Sequence, residues 1–138
     1  ILKPGQHFII EKPEADIEIF NDQAIMTLIF RNLIYNAIKY SQENKVIKVS
    51  IKLEKDVIIS IQDKGIGIPE ADQPHIFNRF FRAKNALHFQ GTGIGLNLVK
   101  YHAERLGGQI NFRSKEDKGS TFTLRLPVIA NPDNDNRE

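Results

Sequence analysis

Cysteine and tryptophan are absent from this 138-residue sequence, and methionine occurs once. Without cysteine, the chain has neither disulfide bonds nor thiolate metal ligands. No apolar run approaches the length of a membrane span, and no signal peptide is visible. The formal net charge is only +2, with acidic residues interleaved among basic ones, so the charge pattern does not demand a nucleic-acid partner. What remains is the composition of an ordinary globular domain, with 41% hydrophobic and 26% charged residues.

The length of the chain fits one domain that is large enough to bury a core. We expect residues 1–130 to form that domain. The polar residues 131–138 lack aromatic side chains, and we expect them to be disordered. The first residue is Ile1 rather than methionine, which suggests a fragment of a longer protein.

Hydrophobic periodicity predicts the first half of the fold. The short runs "HFIIEK" and "IEIF" favour β-strands, and Asn21 or Asp22 is a plausible start for a helix that ends near Tyr40. Alternating side chains at 46–53 predict a further strand, and the residues "EKD" form the turn into the next one.

The second half begins with residues 70–90, which predict a long and partly mobile loop because they show no sustained period. Within it, "HIFNRFF" is compatible with a short amphipathic helix. The run "GTGIGLNLVKYHAERLGG" predicts a helix that ends at its glycine pair, and "QINFRSK" and "STFTLRLPV" predict a closing hairpin. The predicted fold class is α+β, with one layer of helices packed on a largely antiparallel sheet.

The first predicted helix carries a polar stripe. Asn32, Asn36 and Lys39 recur at the spacing of helical turns, so their side chains share one face. Asparagine is a mediocre helix former, because its side chain competes for backbone hydrogen bonds. If these residues stood alone, a solvated helix face would explain them.

Two glycine motifs suggest why the stripe is there. In "DKGIGIP", Asp63 ends an apolar run where a carboxylate is buried, and a buried carboxylate needs hydrogen-bond donors. The exocyclic amine of adenine is such a donor, and glycines let a flat base approach the backbone. An isolated motif of this kind would more often be a tight turn.

The second motif, "GTGIGL", directly precedes a helix. Backbone N–H groups at a helix N-terminus bind phosphate, and glycines allow close contact. The motif is neither a Walker A sequence nor the dinucleotide fingerprint, and glycine-rich turns before helices are common. It is the combination of both motifs with the stripe that points to a nucleotide.

Together the motifs resemble the catalytic and ATP-binding domain of sensor histidine kinases, in the superfamily of the gyrase, heat-shock chaperone and mismatch-repair ATPases. The resemblance runs from about Phe8 to Val128. It comprises "NLIYNAIKYS" as the N box, "DKGIGIP" and "GTGIGL" as the glycine boxes, "IFNRFFRA" as the F box and "GSTFTLRLP" as the last glycine-containing strand. It implies a two-layer α/β sandwich (the Bergerat fold), with a mixed, mostly antiparallel sheet of about five strands, about three helices on one face and a long ATP lid.

The resemblance also implies residue roles. Asn36 would offer its amide oxygen to Mg²⁺, with Asn32 as its helper one turn earlier, and Lys39 would contact phosphate. Tyr40 would flank the nucleotide, although a core position explains it equally well. Asp63 would accept from the adenine amine, in a base pocket shaped by Gly65, Gly67 and Ile68.

The remaining roles belong to the lid and the last strand. Arg82 would reach the γ-phosphate, with Arg79 as a weaker second candidate that a solvated loop position also explains. Thr121 would lie near the adenine, although threonine is ordinary in a strand. The residues expected to wrap the phosphates and begin the next helix are Gly91, Thr92, Gly93, Gly95 and Leu96. The aromatic residues Phe77, Phe80 and Phe81 are expected to pack the lid onto the domain.

The sequence lacks the histidine that such a kinase phosphorylates. His102 lies in the helix after the second glycine motif, which is the wrong element, and the other histidines have no acceptor context. We therefore expect an ATP-delivering half, with the dimerisation and phosphoacceptor helices before Ile1 and a response regulator as an indirect partner. The parent protein is expected to be a membrane-associated homodimer and this fragment a cytoplasmic monomer. Nucleic acid is not an expected partner.

Asn32 decides among the possible reactions. In the ATPase relatives a glutamate at this position activates water, and an amide cannot act as a general base. The expected behaviour is tight ATP binding, slow hydrolysis and transfer to a histidine on another segment. The alternatives are a nucleotide-binding regulatory module without transfer activity, an ATPase, and an anti-sigma-factor serine kinase of the same superfamily.

Overall fold

A computed structural model describes residues 2–15 and 21–128. These residues form one five-stranded sheet with the strand order β1-β2-β3-β5-β4. Strand β1 is parallel to β2, and the other neighbours are antiparallel. The strands are His7–Glu11 (β1), Val46–Leu53 (β2), Asp56–Asp63 (β3), Gln109–Lys115 (β4) and Gly119–Pro127 (β5), and the α-helices are Gln23–Tyr40 (α1) and Gly95–Arg105 (α2). The predicted α+β class and the mixed, mostly antiparallel sheet are confirmed.

Both helices lie on one face of the sheet. Along β3 and β5, buried residues alternate with partly exposed ones, because successive side chains of a strand point to opposite faces. The buried strand residues pack against the inner faces of α1 and α2. The core that the sheet and the helices form together includes Ile29, Leu33, Ile59, Ile61, Val99, Ala103, Phe122, Leu124 and Leu126.

Helix α1 begins and ends at the predicted places, and both ends matter for the site. Asp22 caps its N-terminus by accepting a hydrogen bond from the Ile25 N–H at 3.1 Å. At its C-terminus, the fully buried Ser41 accepts a hydrogen bond from the Lys64 N–H through its hydroxyl at 3.2 Å. This contact holds the end of α1 against the turn that follows β3.

The lid, residues 70–90, contains two short 3₁₀ helices, Glu70–His75 and Lys84–Ala86. The short helix with which "HIFNRFF" is compatible is not formed, because the 3₁₀ helix ends at His75 and turns follow it. Phe77 and Phe81 pack against the core, with the Phe77 ring centroid 5.8 Å from that of Phe112 and 6.4 Å from that of Phe122. Phe80 differs from the expectation that it packs the lid onto the domain, since it is 61% exposed.

Two other expectations concern the helix count and the chain ends. The described residues contain two α-helices, where the resemblance implied about three helices. The predicted strand "IEIF", residues 17–20, lies outside the described residues, as does the tail 131–138. Among the described helices, none has both the length and the apolar character needed to cross a membrane.

Candidate functional site

A cleft of about 490 Å³ lies between α1, the first glycine turn and the lid. Every predicted site residue lines it except Gly65, Thr121 and the weaker candidate Arg79. The Arg79 guanidinium lies 4.8 Å from the Phe80 ring centroid. The cleft is therefore the place where motifs that are far apart in the sequence come together.

Asp63 is the buried carboxylate of the cleft, at 7% exposure. Its Oδ1 accepts both of its hydrogen bonds from the described residues, one from the Gly65 N–H at 2.9 Å and one from the Ser120 N–H at 3.2 Å. Burial raises the pKa of Asp63 from its ordinary value of 3.8 to about 6, against the opposing effect of these hydrogen bonds and of Lys64. The other oxygen, Oδ2, is left to accept a hydrogen bond from a ligand.

The first glycine turn is fixed by close backbone contacts. A Cβ atom at Gly65 would lie 2.2 Å from the carbonyl oxygen of Tyr40, so only glycine lets the turn approach the end of α1. Gly67 has a φ of +64°, and a Cβ there would lie 2.0 Å from the carbonyl oxygen of Lys115. Gly65 thus joins the turn to α1 without facing the cleft, whereas Gly67 and Ile68 line it.

The structure does not bring Thr121 to the cleft. Thr121 pairs with Gln62 on β3 and follows Ser120, whose N–H contacts the Asp63 carboxylate. Adjacent strand residues point to opposite faces, and Phe122 lies on the face that lines the cleft. Thr121 itself therefore lies outside the cleft, and its neighbour Ser120 contributes a backbone N–H to Asp63.

The polar stripe of α1 faces the cleft, but its members differ in what they contact. The Asn32 side chain donates to the Leu28 carbonyl oxygen at 2.8 Å, and a Cβ atom at Gly95 would lie 2.6 Å from Asn32 Oδ1. Asn32 is thus packed against the first residue of α2. Asn36 makes no such contact and is partly exposed at the cleft wall.

Two cations of the cleft bind carbonyl oxygens of the lid. Lys39 Nζ donates to the Gln90 carbonyl oxygen at 3.1 Å. The Arg82 guanidinium donates to the carbonyl oxygens of Ala86, at 2.9 Å, and of Phe89. The edge of the Phe89 ring also packs on Tyr40, with the ring centroids 5.2 Å apart. The end of the lid is therefore attached to the residues predicted to bind phosphate.

The second glycine turn is in direct backbone contact with the lid. Gly93 has a φ of +75°, and its carbonyl oxygen accepts a hydrogen bond from the Phe80 N–H at 2.8 Å. A Cβ atom at Gly93 would lie 2.7 Å from the Phe80 carbonyl carbon, a backbone atom that cannot move without the lid. Helix α2 begins directly after this turn, at Gly95.

We expect Gly93→Ala to destabilise the domain by about 1–3 kcal/mol, because it combines a left-handed φ with a backbone clash. Urea-induced unfolding measures this change. Gly91→Ala is the matched control, since a Cβ there would meet only the ends of two long side chains, Lys39 Nζ at 3.1 Å and the Arg82 guanidinium at 4.0 Å. Equal stability of the two variants would show that the turn does not need glycine at Gly93.

Asn85 is a polar residue of the cleft that sequence reasoning missed. Its Nδ2 donates to the carbonyl oxygens of Ile66 at 3.3 Å and Gly67 at 3.0 Å. A single asparagine in a loop without a period gives no signal, and its partners lie 19 and 18 residues away. Gln90, which also lines the cleft, was missed for the same reason.

A five-stranded sheet with helices on one face and a lidded cleft beside α1 defines a class of ATP-binding domains. Residues 21–130 match the family described as histidine kinase-, DNA gyrase B- and HSP90-like ATPases. The chain belongs to this family. It is an ATP-binding domain of the sensor histidine kinase type.

Individual relatives agree with this assignment. The chain is 37% identical over 133 residues to the sensor histidine kinase WalK of Bacillus subtilis, covering 93% of this chain and 22% of that protein. It is 40% identical over 126 residues to the signal transduction histidine-protein kinase ArlS of Staphylococcus aureus, covering 89% of this chain and 28% of that protein. The chain thus spans little more than a quarter of these relatives at most.

Solved structures show the same fold. The catalytic domain of the histidine kinase ThkA has a TM-score of 0.77 and 30% identity, over 90% of this chain and 80% of that one. A mycobacterial sensor histidine kinase, MprB, has a TM-score of 0.80 over 90% of this chain and 84% of that one. At 24% identity, MprB supports the fold alone.

Proposed function

We propose that this domain binds Mg-ATP in the cleft and transfers the γ-phosphoryl group to a histidine on a separate dimerisation and phosphoacceptor domain. The observation that carries the proposal is the cleft itself, in which a buried carboxylate, Asp63, shares one space with Asn36, Lys39 and Arg82. Such a space suits a ligand with a hydrogen-bonding base at one end and charged phosphates at the other.

At the base end, Asp63 Oδ2 accepts a hydrogen bond from the adenine amine. The carboxylate is held for this role because its other oxygen is bound to the N–H groups of Gly65 and Ser120. Gly67 leaves room for the flat base, and Ile68 provides apolar surface beside it.

At the phosphate end, Lys39 and Arg82 supply positive charge, and the turn from Gly91 to Gly95 leads into the N-terminus of α2. Backbone N–H groups at a helix start bind phosphate oxygens. Phosphoryl transfer depends mainly on positioning and charge neutralisation, which these groups perform.

The residues present fit a Mg²⁺ ion that is shared with the nucleotide. Within residues 2–15 and 21–128, no three histidine, aspartate or glutamate side chains are grouped to hold a metal by themselves. Asn36 offers one hard amide oxygen, and Mg²⁺ takes its other ligands from water and phosphates in sites of this kind. The ion supplies charge neutralisation on the phosphates.

The acceptor has to come from elsewhere. Among the described residues, no histidine lines the cleft, and His102 packs against Tyr101 on α2, with ring centroids 5.1 Å apart. Asn32 cannot take a proton from water, so hydrolysis is slow. A response regulator then receives the phosphoryl group from the phosphohistidine, and the regulator meets the acceptor domain rather than this cleft.

The test uses γ-labelled ATP, Mg²⁺ and this chain, with a histidine-bearing dimerisation and phosphoacceptor domain supplied in the same polypeptide or separately. We expect label on the acceptor that is stable in alkali and lost in acid, as phosphohistidine is. Acid-stable label would indicate a serine kinase, rapid phosphate release by the chain alone an ATPase, and ATP binding without transfer a regulatory module.

A further inference from the structure

A tight turn at residues 3–6, here called the N-terminal turn, precedes β1. Its sequence is "KPGQ", in which the Lys3 carbonyl oxygen accepts a hydrogen bond from the Gln6 N–H at 3.0 Å and Gly5 has a φ of +73°. Proline in the second place and glycine with a positive φ in the third are typical of a type II turn. The Lys3 N–H also donates to Gln6 Oε1 at 2.8 Å. The turn thus fixes the Gln6 amide, with its oxygen used inside the turn and its nitrogen directed outward.

Both long side chains of this turn bind carbonyl oxygens at the C-terminus of α1. The last four carbonyl groups of a helix have no partner within it, and a cation there also interacts favourably with the helix dipole. Lys3 Nζ donates to the carbonyl oxygens of Lys39 and Ser41, at 2.7 Å each. Gln6 is buried, and its Nε2 lies within hydrogen-bond distance of three carbonyl oxygens, those of Ile38 at 3.2 Å, Ser41 at 3.1 Å and Gln42 at 3.2 Å.

The end of α1 that this turn holds is also the end that supports the base pocket. The Tyr40 carbonyl oxygen accepts a hydrogen bond from the Ile66 N–H at 3.3 Å, and Ser41 forms an isolated β-bridge with Gly65. Gly65 donates its N–H to the Asp63 carboxylate at 2.9 Å. Backbone hydrogen bonds thus run without a gap from the N-terminal turn to Asp63, and a displacement of the end of α1 displaces the first glycine turn.

We propose that Lys3 and Gln6 are positioning residues for ATP binding, because by fixing the end of α1 they hold Asp63 and its turn in the conformation that accepts the base. This inference rests on the proposed nucleotide binding and deepens it. Neither residue lines the cleft, so both act through the backbone of α1 rather than by contact with the ligand. Side chains that only stabilised the fold would change the free energy of unfolding and leave the affinity of the folded molecules for ATP unchanged.

Lys3→Met tests the proposal, because it removes the ammonium donor from a partly exposed residue and keeps an unbranched apolar stem, so the fold should survive. We expect the Kd for Mg-ATP, measured by calorimetry on this chain, to rise about 5- to 10-fold. The increase should be the same in about 0.1 M and about 0.5 M salt, since the higher concentration screens long-range attraction between Lys3 and the phosphates. Hydrogen exchange of the Ile66 N–H, followed by NMR, should accelerate more than that of the amides of β3 and β5, because the opening is local.

Lys12→Met is the matched control, since it removes the same charge at an exposed residue directly after β1, and its Kd should not change. An unchanged Kd in Lys3→Met, whatever its stability, would overturn the proposal. So would an increase that disappears at the higher salt concentration, or one that the control shares. These outcomes presuppose that the unmodified chain binds ATP. If it did not, the proposed function would fail and this inference with it, whereas normal binding beside an unchanged Lys3→Met would remove this inference alone.

Discussion

Asp63→Asn is expected to abolish ATP binding while leaving the domain folded. Asparagine is nearly isosteric with aspartate, and its oxygen is able to accept the same two hydrogen bonds from the N–H groups of Gly65 and Ser120. Its Nδ2 then takes the place of Oδ2 and presents a donor to the donating adenine amine. We expect the Kd for ATP to rise at least about 100-fold, since a charged hydrogen bond is replaced by two opposed donors.

The base that this variant prefers provides a second readout. Inosine triphosphate carries an oxygen acceptor in place of the amine, so the asparagine nitrogen faces a partner. Calorimetry should therefore show that Asp63→Asn shifts the ratio of the two affinities toward inosine triphosphate. Unchanged ATP affinity in the variant would remove Asp63 from the base pocket.

The same substitution should stabilise the protein at neutral and higher pH. Folding raises the pKa of Asp63 to about 6, so the folded chain binds this proton more tightly than the unfolded chain. The stability contributed by the protonated group is complete below about pH 4 and is lost as the pH rises through about 6. Above that range, ionising the buried carboxyl costs about 3 kcal/mol, an upper figure for this shift.

Urea unfolding at pH 5 and pH 8 tests this expectation. Asp63→Asn should exceed the unmodified protein in stability at pH 8, and the difference should shrink at pH 5. Asp117→Asn is the matched control, because it makes the same charge change at an exposed residue whose φ of 64° asparagine tolerates. A pH-independent difference for Asp63→Asn would contradict the raised pKa.

Asn36→Ala is expected to reduce Mg²⁺-dependent phosphoryl transfer about 100-fold or more, the usual effect of removing one group that stabilises charge in the transition state. Asn36 has no structural contact comparable to that of Asn32 with Leu28 and Gly95, so the fold should survive. The affinity for ATP in the absence of Mg²⁺ should change little, because Asp63 and the base pocket are untouched.

A titration of Mg²⁺ separates this role from a general loss of binding. In Asn36→Ala the Mg²⁺ concentration for half-maximal transfer should rise, whereas in Asn111→Ala, at an exposed position on β4 outside the cleft, it should not. Loss of ATP affinity without Mg²⁺, equal to the loss of transfer, would contradict a metal-linked role for Asn36.

The elements predicted correctly are those specified by nearby residues. Asp22 caps α1 through the N–H of a residue three positions away, and the alternation along β3 and β5 follows from the strand period. In the lid, Phe77 packs on distant strands, where it meets Phe112 and Phe122. A local pattern does not contain that information, which is why "HIFNRFF" is compatible with a helix that the structure does not form.

The site residues that sequence reasoning identified are likewise those that belong to local patterns. The motifs locate the cleft, because glycine turns and the α1 stripe are short-range patterns. Thr121 lies outside the cleft because a difference of one residue in a strand moves a side chain to the other face, and its expected contact with adenine stays a prediction. Asn85 was missed because its hydrogen bonds go to carbonyl groups of a turn 18 and 19 residues away.

The cations Lys39 and Arg82 are both bound by carbonyl oxygens at the end of the lid, and this affects the kind of nucleotide that the domain binds. Carbonyl oxygens of residues 86–90 occupy these two cations, so phosphates compete with a part of the chain itself. The observed Kd is then the intrinsic Kd divided by the fraction of molecules whose cations are free. Because a carbonyl oxygen is neutral, a charged triphosphate displaces it readily. We expect a nucleoside without phosphates to leave both contacts in place, so the domain would distinguish a nucleotide from its nucleoside before any chemistry occurs.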